Sequence, residues 1–203
     1  LSLDPEDNSY RLGMRLVRLA HSAWAQSSLA PIARPHVDRL SELTGETVHL
    51  AQLDNGHVLY VDKRNASRPI DLFSKVGKVG PAYCTGVGKA MLAWLDDAAL
   101  DAALRRQAFH RFMPNTLTDP EALRAELARI RTEGIAFDRE EHEPGVICIA
   151  APILTEQGRV IGALSVTSST ERSQLADLAA VAPDLRAAAA AIAAEASSWQ
   201  FPT

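Results

Sequence analysis

The chain has 203 residues, 47% of them apolar and 23% charged, with a formal net charge of −4. That is enough for one or two domains with a real core, and the slight acidic excess excludes a stand-alone nucleic-acid binder, which needs a basic stripe. Two cysteines without a CxxC spacing, Cys84 and Cys148, exclude a disulfide framework or zinc knuckle and indicate a reducing cytoplasm, and no apolar run approaches the roughly 20 residues of a bilayer span.

The sequence opens on Leu1 rather than Met, and Asp4-Pro5-Glu6-Asp7-Asn8 is unlike a signal peptide; it reads as a piece of a longer chain. From Leu12, apolar Leu16, Leu19 and Ala20 recur at helical spacing with Arg11, Arg15 and Arg18 on other faces, and Trp24 extends the stripe. Pro31 breaks or restarts that helix. A second helix spans residues 32–43, with Val37, Leu40 and Leu43 inward and Gly45 ending it.

Residues 47–53 and 57–63 alternate like strands around Asp54-Asn55-Gly56, a strong hairpin signal. Ile70-Asp71-Leu72-Phe73 reads as a further strand, and residues 77–81 as a loop. Gly86-Val87-Gly88 opens a helix that runs through Leu95, and a short helix covers 97–106. Thr118-Asp119-Pro120-Glu121 is a helix start, with Thr118 as N-cap and Glu121 reaching back, and Gly134 caps the far end. Residues 135–138 form a short strand and 139–145 a charged loop. Residues 146–154 and 160–167 form a second hairpin, and 173–196 an Ala-rich helix broken at Pro183. Strand pairs joined as hairpins, with helices between them, specify an α+β domain built on an antiparallel sheet.

The segment Tyr83-Cys84-Thr85-Gly86-Val87-Gly88-Lys89-Ala90 is the most distinctive. A nucleotide phosphate loop needs an earlier Gly where Tyr83 stands and Ser or Thr where Ala90 stands, so ATP and GTP are set aside. What remains is a glycine turn at a helix N-terminus, whose backbone amides can receive a small carboxylate, or simply a tight turn. Cys84 and Cys148 have apolar flanks and read as inert thiols; a nucleophile role with His142 as base is the enzymatic alternative. Glu140-Glu141-His142-Glu143 lacks the spacing of a metal site and reads as a solvated loop. Asp138 ends a strand, where it can point into a cleft. Ser165 and Thr167 share one strand face, which looks either into a cavity or outward.

In order along the chain, Tyr10-Arg11-Leu12-Gly13, Ala82 through Ala93, Gly134 through Glu141, Gly145 through Ile153 and Val160 through Val166 resemble the effector-binding domain of IclR-family transcription regulators. The likeness covers essentially the whole chain. It implies a GAF-like α+β domain, an antiparallel sheet flanked by helices, that senses a ligand rather than acting as an enzyme. It also implies a winged helix-turn-helix N-terminal to residue 1, absent from this sequence. Residues 1–30 then read as the end of the wing and a linker helix, and 31–203 as the effector-binding domain.

The resemblance further implies an effector cavity. Gly86 and Val87 form its backbone floor, Asp138, Val146 and Cys148 one wall, Ser165 and Thr167 a hydroxyl-bearing strand, and Leu72 an apolar contact. Its implied partners are a small carboxylate effector, a second copy or three further copies of the chain, and DNA through the missing domain, with no cofactor, metal or membrane. Within the family, Thr47-Val48-His49-Leu50, Tyr60-Val61-Asp62-Lys63, Met91-Leu92-Ala93-Trp94 and the tail at 199–202 are most similar to regulators of sugar-acid catabolism of the ketodeoxygluconate type. An aromatic acid, glyoxylate or pyruvate is the competing effector. The remaining possibility is an oligomerisation module whose cavity is filled.

Overall fold

The computed structural model describes residues 2–3, 6–11, 13–27, 29–70 and 72–197. Leu12, Asp71 and the tail at 199–202, each used in the sequence reading, lie outside the described residues.

A two-stranded ribbon of β1 (Ser2–Leu3) and β2 (Tyr10–Arg11) precedes helix α1 (Met14–Ser27). The apolar stripe expected on α1 exists but does not face a core. Leu16 is 43% and Leu19 62% exposed, Ala20 is exposed too, and only Trp24 is partly buried, against the main core. Helix α2 (Ala30–Thr44) carries Pro31 in its first turn, where a missing N–H costs nothing, and Gly45 caps it with φ +67°. Val37 and Leu40 are buried as the periodicity requires, whereas Leu43 lies 61% exposed.

The hairpin β3 (Thr47–Asp54) and β4 (His57–Arg64) follows. Asn55 and Gly56 both adopt positive φ, 52° and 84°, as a two-residue hairpin turn demands. Of the expected strand at 70–73, the described residues Ile70, Leu72 and Phe73 form none. Residues 72–78 instead run as a loop, and the strand beside β4 is β5 (Val79–Gly80). The reason lies in the backbone: the Phe73 N–H donates to Glu143 Oε2 at 2.9 Å rather than to a strand neighbour.

Helices α3 (Gly86–Leu92), α4 (Asp97–Leu104) and α5 (Pro120–Glu133) come next, then β6 (Ala136–Arg139), β7 (Val146–Leu154) and β8 (Val160–Ser169). The described residues close with α6 (Leu175–Ala180) and α7 (Ala182–Ala196), divided at Val181, with Pro183 in the first turn of α7. The N-cap of α5 is Asp119, not Thr118: the Asp119 carboxylate accepts from Ala122 N at 2.8 Å, while Thr118 Oγ1 accepts from the Arg111 guanidinium. Glu121 accordingly sits inside the first turn.

The main sheet has six strands in the order β5-β4-β3-β8-β7-β6, all antiparallel. This is the α+β architecture expected from the hairpin pattern. Its two faces differ in side-chain size because residues alternate along each strand. Leu50, Ile149 and Leu164 point to one face, where α2, α6 and α7 cover them. Ala51, Ala150 and Ala163 point to the other, where α3, α4 and α5 pack. Burying each large aliphatic side chain contributes about 1.5–3 kcal/mol. The alanines contribute less but let α3 approach the sheet closely. Past that alanine patch the same face becomes polar, and there the cavity opens.

Candidate functional site

On the α3 face the strand registers line up polar side chains. Asp138 stands opposite Cys148, and Cys148 opposite Thr167. Ser165 stands opposite His49. A bulge between Leu50 and Ala51 shifts the pairing with β4 so that Tyr60 stands opposite Ala51, on the same face. These residues form the floor of a narrow cavity of about 30 Å³, well below the usual size of small-molecule sites. The first turn of α3, with Thr85, Gly86 and Val87, forms one wall. Leu72 and Ser74 cover a second side, and His142, Glu143 and Val146 a third.

All eight residues singled out from the sequence therefore border one cavity: Leu72, Gly86, Val87, Asp138, Val146, Cys148, Ser165 and Thr167. The Ser165 and Thr167 hydroxyls face inward, which resolves the alternative left open by the strand pattern. Sequence reasoning left out His49, Tyr60, Ser74 and Glu143, which share the cavity. The signal for His49 was available: alternation along β3 puts it on the face of Thr47 and Ala51.

The turn into α3 needs glycine at two places. A methyl group at Gly86 would overlap Cys148 Sγ, and one at Gly88 would overlap the backbone of Ala82 and the Thr85 side chain. Thr85, in extended conformation at φ −126° and ψ 145°, precedes the helix and donates its hydroxyl to Pro81 O at 2.8 Å. Its side chain does not cap the helix, so the first-turn N–H groups keep their intrinsic lack of intrahelical partners.

His49 is the polar hub of the floor. Its Nε2 lies 2.7 Å from Ser74 Oγ, and its Nδ1 lies 3.4 Å from Ser165 Oγ and 3.3 Å from Thr167 Oγ1. Burial, aided by the charge of Lys63, pushes its pKa down to about 3, so the ring is neutral, with one nitrogen donating and one accepting. Asp138 behaves oppositely. Burial, then the nearby Glu141 carboxylate, raises it to about 7, leaving it partly protonated at neutral pH.

Burial also pushes both the Cys84 and Cys148 thiols well above their ordinary range. Neither supplies a thiolate, and nothing in the cavity activates one. The loop at 139–145 is not solvated as expected. Glu141 is buried against Lys89, Glu143 accepts from the Phe73 amide, and the His142 ring stacks edge-on against Phe73 at 5.3 Å. Lys89 is fully buried behind the cavity. Among the described residues no cluster of His, Cys, Asp or Glu could hold a metal ion, and no helix is long and apolar enough to cross a membrane.

Residues 21–194 match the family model described as the bacterial transcriptional regulator IclR C-terminal domain. The HTH-type transcriptional regulator XynR of Escherichia coli K12 is 37% identical over 189 residues, 93% of this chain and 75% of that protein. The HTH-type regulator KdgR of the same organism is 32% identical over 197 residues, 97% of this chain and 75% of that one. Among solved structures, a transcriptional regulator from Rhodococcus sp. RHA1 superposes with a TM-score of 0.85 at 30% identity, over 93% of this chain and 78% of that one. An IclR homologue from Microbacterium hydrocarbonoxydans, complexed with 4-hydroxybenzoate, superposes with a TM-score of 0.80 at 29% identity, over 95% of this chain and 78% of that one. The relatives are transcriptional regulators, not enzymes, and with the family model spanning most of its length the chain belongs to the IclR family of bacterial transcriptional regulators, as their C-terminal effector-binding domain.

Proposed function

We propose that the cavity binds a small carboxylate, a sugar acid or related keto acid, and that its occupancy modulates operator binding by the whole regulator. The observation that carries this reading is the pairing, across one cavity, of a helix N-terminal turn with a strip of hydroxyl and imidazole groups. Backbone N–H groups at Gly86 and Val87 receive the carboxylate, where partial positive charge favours an anion. Ser165, Thr167 and His49 on the opposite side bond the hydroxyl or keto oxygens of its body. Leu72, Val146 and Cys148 line the remaining apolar surface, and Asp138, whose backbone adjoins Gly86, reads a proton donor or acceptor of the acid.

Regulation requires that the effector bind one arrangement of subunits more tightly than another. DNA-reading helices carried by two copies of the chain address half-sites one or more helical turns apart, so a dimer or tetramer is the working assembly. Calorimetric titration against D-gluconate, a 2-keto-3-deoxy sugar acid, pyruvate, glyoxylate and 4-hydroxybenzoate tests the reading. Saturable binding by a hydroxylated or keto acid supports it, and no binding by any of them removes it. An aromatic acid is the second reading, favoured by the 4-hydroxybenzoate complex of the Microbacterium homologue.

A further inference from the structure

Directly behind the Asp138 wall, outside the cavity, lies a buried ion pair. Lys89 Nζ, on α3 and fully buried, donates to Glu141 Oε1, and Glu141 is itself only 3% exposed. Placing two charges out of water is costly unless they hold each other and their neighbours in place. Here the pair joins two separate walls of the cavity. Lys89 follows Gly86 by about one helical turn, and Glu141 follows Asp138 across a tight bend in which Glu140 takes φ +57°.

Glu141 is bound on every side but one. Its N–H donates to Asp138 Oδ1 at 2.8 Å, and its carbonyl accepts from Thr116 Oγ1 at 2.6 Å. Its Oε1 also accepts from Arg139 N at 3.3 Å. Its Oε2 is buried without a partner, a cost that stability alone does not explain. Behind Lys89, Glu126 on α5 stands 3.9 Å from Nζ and accepts from Arg129 and Arg139, which neutralise it.

We propose that Lys89 and Glu141 are positioning residues of the effector pocket: the pair locks the first turn of α3 to the loop after β6, and Glu141 fixes both the direction of the Asp138 carboxylate and the charge it presents to the effector. The inference rests on the reading of the cavity as an acid-binding site. A neutral Asp138 donates a hydrogen bond to an incoming carboxylate or hydroxyl, whereas an ionised one repels the acid. Keeping a negative Glu141 beside Asp138 favours the neutral form. The charged and titratable groups that face Asp138 are few. Lys89 comes from α3, Glu141 and His142 from the loop, Cys148 from β7, Tyr60 from β4 and Cys84 from the turn before α3. Burial raises Asp138 most and the Glu141 charge adds to it, while the Glu141 backbone N–H, Lys89 and His142 oppose it.

The test is a carbon-detected NMR titration of the Asp138 carboxyl in the wild-type chain, in Glu141→Gln, and in the double variant Lys89→Gln/Glu141→Gln. Glu141→Gln keeps the shape and the backbone N–H to Asp138 but removes the negative charge, so the Asp138 midpoint is expected to drop by one pH unit or more. The double variant removes both opposing charges, so the midpoint is expected to return most of the way, while also guarding against an unpaired buried lysine in the single variant. A midpoint unchanged in Glu141→Gln overturns the proposal, since a purely structural pair would alter unfolding but not this titration. Calorimetry with D-gluconate and 4-hydroxybenzoate is the second arm. A probe that binds wild type is expected to bind Glu141→Gln about threefold more weakly or worse at pH 6.5, as the neutral fraction of Asp138 falls, and equal affinity counts against the proposal. Binding of neither probe to wild type counts against the acid-binding reading, and the titration still decides the role of the pair.

Discussion

The backbone of Gly86 lies directly on the sulfur of Cys148, so that a methyl group at 86 would overlap Sγ. This contact seats the first turn of α3 on β7 and sets the depth of the cavity. Gly86→Ala is expected to destabilise the domain by about 1–3 kcal/mol, as overpacking does. Combining it with Cys148→Ala opens room for the methyl, so the double variant should be at least ~1 kcal/mol more stable than the sum of the single effects. Urea unfolding of the three variants measures this. Strict additivity would mean that the sulfur is not what limits the approach.

His49 and Asp138 make opposite demands on pH. His49 falls from 6.5 to about 3 on folding, chiefly by burial. Between those values the unfolded chain holds a proton the folded one lacks, so this group makes stability rise with pH. Asp138 rises from 3.8 to about 7, again chiefly by burial. Between those values the folded chain holds the extra proton, so this group makes stability fall as pH rises. Each contributes a slope of up to about 1.4 kcal/mol per pH unit, and from pH 3.8 to 6.5 the two oppose each other. Relative to wild type, Asp138→Asn should show stability climbing more steeply with pH across that window, and His49→Gln should show it climbing less or falling. Urea unfolding at several pH values reads both slopes. Parallel curves for all three proteins would mean that neither group titrates abnormally.

Asp119 caps α5, and Thr118 does not. Asp119→Ala should cost about 0.5–2 kcal/mol of stability, against no more than about 0.5 kcal/mol for Thr118→Ala. Thermal unfolding separates the two, and the reverse order would restore Thr118 as the cap.

That mis-assignment shows what local pattern can carry. Ser, Thr, Asp and Asn all serve as N-caps, so Thr118-Asp119 offers two adjacent solutions, and Arg111, distant in no pattern the sequence displays, takes the Thr118 hydroxyl. The hairpins were legible because alternation and, in the first, an Asn-Gly turn are local signals, whereas the bulges that shift their registers at Leu50/Ala51 and Ile153/Leu154 were not. The eight cavity residues were legible because the resemblance supplied them and strand alternation agreed for Ser165 and Thr167. The partners of Glu141 and Glu143 were not legible, because a run of charges reads as solvated until tertiary contacts provide Lys89 and the Phe73 amide. For the same reason residues 70–73 read as a strand: their apolar content was visible, but not the carboxylate that draws Phe73 N–H out of the sheet. The stripe on α1 is a sound helical pattern that, Trp24 apart, lies exposed among the described residues.

The hydroxyls of Ser165 and Thr167 offer the most direct probe of effector class. Their contacts to His49 Nδ1, at 3.4 and 3.3 Å, are long and compete for one nitrogen, so both oxygens retain capacity for a ligand. Ser165→Ala and Thr167→Val leave the fold's apolar packing intact and remove that capacity together with one long contact to His49. If the effector is a hydroxylated acid, each change should weaken D-gluconate binding about fivefold, the equivalent of roughly 1 kcal/mol for one neutral hydrogen bond. Leu72→Ala should then have the smaller effect on that probe. If the effector is an aromatic acid the order inverts, because 4-hydroxybenzoate presents a flat apolar ring to Leu72 and Val146 and only one hydroxyl to the strand. Calorimetry of the three variants against both acids therefore identifies which wall of the cavity, the hydroxyl strip or the apolar cover, selects the effector.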